Sequence, residues 1–310
     1  MSTAIQLRHA TRADWDEVAA LIYYSTNHWY IANGKSAIFT GEPSSTLLFC
    51  QVYEDLDPGC CLLAVDEATG SIAGSCFYRR RETHVSLGIM NAHPDHAGKG
   101  VARQLLAFIR KFADEKHLPL RLVSSAMNLD SFSLYNRAGL APYAVYQDMI
   151  LEVPMEGIPV KAPTGKTLRD ATLADVTAMV VLEREVLGIS RAKDFEYFIH
   201  NSSGDWHMSV IENGDGRIEG FLASIHHPGS SLLGPGCMRS DEDTIALIHR
   251  ELDARRGKTM VWLAPSNRPA IMQAMYALRA KNCELHIAQT TGEPPQIKGV
   301  VMPSFMPETA

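Results

Sequence analysis

Leu87-Gly88-Ile89-Met90-Asn91-Ala92-His93-Pro94-Asp95-His96-Ala97-Gly98-Lys99-Gly100-Val101-Ala102-Arg103-Gln104-Leu105-Leu106 joins an apolar run, a polar loop with two glycines, and an amphipathic segment. Leu105, Leu106 and Ile109 fall on one face of a helix, with Arg103, Arg110 and Lys111 towards solvent. A strand, a glycine loop and a helix start aim several unpaired N–H groups and the positive helix end at one point. That arrangement binds phosphate. Gly98 and Gly100 carry no side chain, so an anion can approach the main chain there. Two familiar phosphate loops do not fit. A P-loop needs a hydroxyl residue after its lysine, and Gly100 follows Lys99; the dinucleotide fingerprint needs Gly or Ala where Arg103 stands. A glycine turn that only lets a helix pack on a strand is the plain alternative.

Downstream, Leu120-Arg121-Leu122-Val123 reads as a strand, followed by Asn128-Leu129-Asp130-Ser131-Phe132-Ser133-Leu134-Tyr135-Asn136-Arg137-Ala138-Gly139-Leu140. Asn128 is a good N-cap for the short helix that follows, and Gly139 a good stop. Tyr135 then lies near the end of that helix.

The two stretches resemble, in the right order, the acyl-CoA loop and the following Asn…Tyr…Gly motif of the GNAT superfamily of N-acetyltransferases. Gly100 and Ala102 match the loop pattern [QR]-x-x-G-x-[GA], and Ala92-His93-Pro94-Asp95 is similar to V-x-P-[DE]. The first loop position departs, with Ala97 in place of Gln or Arg. Main-chain N–H groups would carry the contact, so the departure does not remove the device. Asn128, Leu134, Tyr135, Arg137, Gly139 and Leu140 match the second motif.

Composition narrows the partners. The chain of 310 residues has room for two ordinary domains. A net charge of −6 without a basic run argues against nucleic acid. Cys50, Cys60, Cys61, Cys76, Cys237 and Cys283 show no C-x-x-C or disulfide spacing, and read as buried free thiols. No signal peptide is expected over Met1 to Asp14, and no window has the roughly 20 apolar residues of a membrane helix. A cytoplasmic protein without a membrane partner is expected, and a homodimer is compatible with the sequence.

Leu7 to Asp14 ends a strand and opens a helix through a Thr11/Asp14 capping box; Leu168 to Asp175 repeats that pattern. The hairpin of Val65 to Gly74 is echoed by Ile211 to Gly220, and Asn128 by Asn267. The offsets shrink from 161 at Thr11/Thr172 to 146 at Gly74/Gly220 and 139 at Asn128/Asn267, as in two copies of one fold with loops trimmed in the second. Pro154, Gly157, Pro159, Pro163 and Gly165 mark the boundary. The expected domains are 1–153, a linker at 154–166, and 167–310. Each copy alternates strands and helices, giving an α/β (α+β) class. The resemblance implies two tandem GNAT-like domains, each a mixed, mostly antiparallel twisted sheet flanked by helices.

The second copy reads as degenerate. Leu233-Gly234-Pro235-Gly236-Cys237-Met238 is taken as the shortened counterpart of the glycine loop, and Asp241, Glu242 and Asp243 stand where the helix begins. Carboxylates there satisfy the helix dipole themselves and repel a diphosphate. Ala274 falls opposite Tyr135, with Tyr276 out of register.

The resemblance implies transfer of an acetyl group from acetyl-CoA to a primary amine, by direct attack through a tetrahedral intermediate. Main-chain groups of Met90, Asn91 and Ala92 would hold the pantetheine arm and face the acyl carbonyl. Ala97, Gly98, Lys99, Gly100, Val101, Ala102 and Arg103 form the pyrophosphate loop, Asn128 and Ser131 contact the cofactor, and Tyr135 protonates the leaving sulfur. Lys99 and Arg103 are also readable as ordinary solvated charges, and Tyr135 as a packing residue. Glu42, Glu54, Asp55, Glu82, His84 or a water chain are the candidate bases. Tyr23, Tyr24, His28, Trp29, Tyr30, Phe39, Phe49 and Tyr53 form an aromatic insert read mainly as a two-helix connection packed on the sheet. His93 and His96 read as loop histidines, with no metal expected. The acceptor is a small-molecule or peptide amine. The rival from another class is a non-catalytic acyl-CoA sensor.

Overall fold

Local signals start the elements where the residues predict them. In the computed structural model, which describes residues 4–304, Thr11 and Asp14 form a complete capping box, and Thr172 with Asp175 forms a second. Each leads through a 3-10 turn into a helix. The described residues divide into two compact units, 4–80 with 84–120, and 81–83 with 121–304.

In the first unit β1 (Ile5–His9), β2 (Cys61–Asp66), β3 (Ile72–Arg80) and β4 (Val85–Ala92) pair in order, each antiparallel to the next. The aromatic insert folds into α1 (Trp15–Ala32) and α2 (Leu47–Leu56), and α3 (Val101–Glu115) follows the glycine loop. Leu105, Leu106 and Ile109 of α3 are buried, while Arg103 and Lys111 are exposed. Gly74 lets α3 settle closely on β3: a Cβ there would lie 2.5 Å from Val101 Cγ1.

The second unit contains β5 (Leu120–Ser125) from Arg121 onward, α4 (Leu129–Arg137) and β6 (Ala141–Glu152). A second series follows: β7 (Lys166–Asp170), α5 (Val176–Leu187), α6 (Ala192–His200), β8 (Trp206–Asn213), β9 (Ile218–His227), β10 (Ser230–Met238), α7 (Asp241–Asp253), β11 (Thr259–Pro265), α8 (Pro269–Ala277) and β12 (Lys281–Thr290), with a short β13 (Val300–Met302) on β10. From β7 to β12 the order of strands and helices repeats that from β1 to β6. Both series are mixed α/β, with mostly antiparallel strands flanked by helices.

The last strands of the two series are exchanged. β12 lies between β5 and β6, antiparallel to both, and β6 is antiparallel to β11 on its other edge. Residues 154–166, the stretch expected to be a linker, therefore run inside the second unit. Val153 N–H donates to Lys258 O at 2.9 Å, and Ile158 N–H to the Asp253 carboxylate at 2.9 Å.

Four charged side chains are buried around α5 and α6: Arg81 donates to Asp194 at 2.9 Å, and Arg191 pairs with Glu183. Burial raises the pKa of Glu183, with Arg191 opposing. Cys50, Cys60, Cys61, Cys76 and Cys237 are buried free thiols, whereas Cys283 is exposed. Among the described residues no helix is long and apolar enough to cross a membrane.

Candidate functional site

The first unit builds the glycine loop from β4 upward. Cys76 pairs with Met90 and Tyr78 with Leu87, so Gly88 and Ile89 together oppose the single residue Phe77. This β-bulge turns the strand just before Met90, Asn91 and Ala92, which are half-buried. Gly88 is needed by Tyr53: a Cβ there would lie 2.7 Å from the phenol oxygen and 2.9 Å from the ring. Tyr53 is itself fully buried and stacked on Phe77 at 4.4 Å. Gly88→Ala is expected to destabilise the chain by about 1–3 kcal/mol in a urea melt through this overpacking. An unchanged midpoint would show that the ring moves aside freely.

Asn91 ties β4 to α1. Ser25 Oγ donates its proton to Leu21 O at 2.6 Å, so towards Asn91 it can only accept, which orients the amide. Asn91 Nδ2 donates to Ser25 at 2.8 Å and to Thr26 at 3.2 Å, leaving Oδ1 buried without a partner.

After β4 the loop is held by local bonds. His93 Nδ1 accepts from Asp95 N–H at 3.2 Å, and His96 Nε2 meets Asp66 Oδ2 at 3.0 Å. That contact and the Ala68 N–H keep the Asp66 carboxyl below its ordinary range. Among the described residues no cluster of three His, Cys, Asp or Glu side chains is arranged to hold a metal. Gly98 and Gly100 take φ of 75° and 80°, the left-handed region open to glycine. Gly100 is the N-cap of α3, and Gln104 N–H is bonded back to Gly100 O at 3.1 Å. The N–H groups of Val101, Ala102 and Arg103 are thus the donors a helix start leaves over, with no acidic residue in the first turn. Ala97, Gly98, Lys99 and Arg103 are exposed, and the Arg103 guanidinium folds back towards Gly100. The Val101 side chain is buried, so this residue offers a ligand only its amide.

In the second unit Asn128 Oδ1 accepts from Ser131 N–H at 3.0 Å and caps α4. Tyr135 is buried in the last turn, Gly139 follows in the left-handed region with φ of 86°, and Leu140 N–H returns to Tyr135 O at 3.1 Å. The same return joins Ala280 N–H to Met275 O at 3.2 Å. Met275, and not Ala274, is therefore the counterpart of Tyr135. Asn267 is likewise displaced: the N-cap of α8 is Arg268.

The counterpart of the glycine loop also differs from expectation. Gly234-Pro235-Gly236 lies inside β10, where Gly234 and Pro235 form a bulge between Leu233 and Gly236 that matches the one in β4. The link from β10 to α7 is only Arg239 and Ser240. Ser240 Oγ caps α7 by accepting from Asp243 N–H at 3.2 Å, and Lys166 pairs with Asp243 at 2.7 Å.

Most of the aromatic insert packs as a two-helix connection: Tyr23 stacks on Phe39 and Phe39 meets Phe49 edge-on, while Tyr24 remains exposed. Of the candidate bases, Glu54 is committed to the N–H groups of Gly59 and Cys61 at 2.7 and 3.2 Å. Glu82 pairs with Arg184 at 3.2 Å, and His84 is fully buried. Glu42 and Asp55 are exposed. The bulge and the Asn91 tie were not anticipated from sequence; a lone glycine within a strand pattern was the available signal for the first.

Comparison with known proteins agrees with this geometry. Residues 24–140 match the family model described as the acetyltransferase (GNAT) family. A Pyrococcus horikoshii protein assigned as an acetyltransferase superposes with a TM-score of 0.73 at 12% identity, over 97% of this chain and 95% of that one. A GCN5-related N-acetyltransferase from Sphaerobacter thermophilus gives 0.63 at 18% identity, over 96% and 97%. A tandem GNAT protein from the clavulanic acid biosynthesis pathway gives 0.64 at 12% identity, over 94% and 100%. A comparison with curated protein sequences gave no match. The chain thus has the GNAT fold of N-acyltransferases, and its segment 24–140 carries the sequence pattern of that family. The tandem GNAT protein is similar to it over nearly the whole length of both chains.

Proposed function

We propose that this chain is an N-acetyltransferase that moves an acetyl group from acetyl-CoA to a primary amine of a small molecule or peptide. The observation that carries the proposal is the start of α3. A left-handed glycine takes the capping position, no side chain or carboxylate competes, and the amides of Val101, Ala102 and Arg103 remain for an anion. A diphosphate fits that donor set. Main chain from Ala97 to Arg103 would hold it, with Lys99 and Arg103 adding charge; Met90, Asn91 and Ala92 would align the pantetheine arm, and Asn128 and Ser131 would complete the cofactor site. No metal is required.

The neutral amine attacks the acyl carbon, the carbon–sulfur bond breaks, and the proton lost by the amine is balanced by one delivered to the thiolate. Tyr135 is assigned that delivery, and main-chain groups around Met90, Asn91 and Ala92 face the acyl carbonyl and stabilise the developing oxyanion. The second series is assigned no acyl-CoA of its own. Ser240 and three carboxylates already occupy its helix start, Pro235 removes an N–H from its bulge, and Met275 has no proton to give.

Calorimetry of CoA with the full chain, followed by thioester consumption over a panel of amines, tests the reading. Saturable CoA binding and turnover with at least one amine are expected. Absence of CoA binding sinks the proposal; binding without consumption for any amine leaves an acyl-CoA sensor.

A further inference from the structure

A second polar site lies wholly within the second unit. A cavity of about 260 Å³ is lined by Arg121, Arg184 and Lys298, with Glu185, Gly188 and Gln296 among its other walls. None of these residues belongs to the glycine loop or to the Asn128–Gly139 motif. Arg121, on β5, is only 7% exposed; its Nε and Nη1 are shielded from solvent with no acceptor, which leaves Nη2 to meet a ligand in the cavity. Burial pulls its pKa down, opposed by the phenol of Tyr143, whose own hydroxyl is buried without a partner.

The other buried guanidiniums described in this unit each face a carboxylate: Arg81 has Asp194, and Arg191 has Glu183. Arg121 has no such partner, and an unpaired buried cation is strongly unfavourable. The nearby carboxylate Glu185 does not fill the gap, because Arg239 and Arg217 already hold it, Arg217 at 3.2 Å. Arg184 and Lys298 are exposed and add positive charge at the cavity; Arg184 also touches Glu82 at 3.2 Å. The C-terminus of α5 at Gly188 faces the same space and disfavours an anion, so the three cations must outweigh it.

We propose that this cavity binds a small oxyanion, a phosphate or carboxylate group, with Arg121 as its buried anchor and Arg184 and Lys298 as its charged rim. The volume admits one such group with a short remainder of a molecule, and not a nucleotide. Charge-assisted bonds from a desolvated guanidinium are the stronger kind, so one buried arginine with two supporting cations suffices for selective capture.

The full-length chain is titrated with inorganic phosphate and, separately, with malonate, each against sodium chloride at equal ionic strength, and binding is read by calorimetry and thermal shift. At least one anion is expected to give a saturable response, weakened about tenfold or more in Arg121→Met. If Arg121→Met does not fold, the double variant Arg184→Gln/Lys298→Gln, altered only at exposed positions, is expected to weaken the response several-fold. The anion that saturates identifies the head group. Responses no different from chloride overturn the proposal. So does saturable binding that is unchanged in the folded variants, because the anion then sits elsewhere, for example on the glycine loop.

Discussion

Tyr135→Phe is expected to lower the rate of acetyl transfer by about 10²–10⁴-fold, the range that a positioned general acid supplies. The hydroxyl alone is lost, and the ring keeps its buried place in the last turn of α4. Affinity for CoA measured by calorimetry should therefore stay the same, which separates chemistry from binding. A thiol has a pKa of about 8.5, so its thiolate leaves with modest help. An acyl donor with a more acidic thiol needs less, and the defect of Tyr135→Phe should shrink with such a donor. Full turnover by the variant with acetyl-CoA would remove the assigned role. A uniform defect across donors would reassign the residue to packing.

Asp194→Ala is expected to cost about 3–5 kcal/mol of stability, the range for breaking a buried ion pair from one side. Asp194 is fully buried, and its partner Arg81 is shielded almost as completely. Removing the carboxylate takes from the Arg81 guanidinium the buried acceptor it meets at 2.9 Å. Glu183, paired with Arg191, feels both the like charge of Asp194 and the opposite charge of Arg81, so the relieved repulsion offsets only part of the loss. Urea denaturation of the full chain measures the effect. Arg81→Met/Asp194→Leu should recover a large part of the loss, since an apolar pair no longer buries a lone charge. A cost below about 1 kcal/mol for Asp194→Ala would mean that solvent reaches the site.

What could be read from the sequence was local. Thr11/Asp14, Thr172/Asp175 and Asn128 each reach a backbone amide a few residues away, so the chemistry of a short segment determines their conformation. The repeat was legible for the same reason, since both series begin on the same box. Gly234-Pro235-Gly236 misled because glycine and proline punctuate turns, whereas here the strand absorbs them as a bulge with its pairing intact on both sides. Asn128 and Asn267 match only as letters, and counting from them puts Ala274 rather than Met275 opposite Tyr135. Helix α8 begins with Pro269 and is capped by Arg268, so the similar letters do not do the same work. The crossing of β6 and β12 was out of reach. Two strands of similar character can pair with either β5 or β11 by composition alone, and the choice depends on contacts more than a hundred residues apart.

That crossing constrains how such a chain can change. Each half supplies the strand that completes the other half's seam, so cutting at the apparent midpoint leaves two open edges rather than two finished modules. A duplicated gene that has reached this arrangement cannot readily discard its second half, even when that half has no chemistry left to perform. The first half keeps its seam closed only as long as the second half is inherited with it.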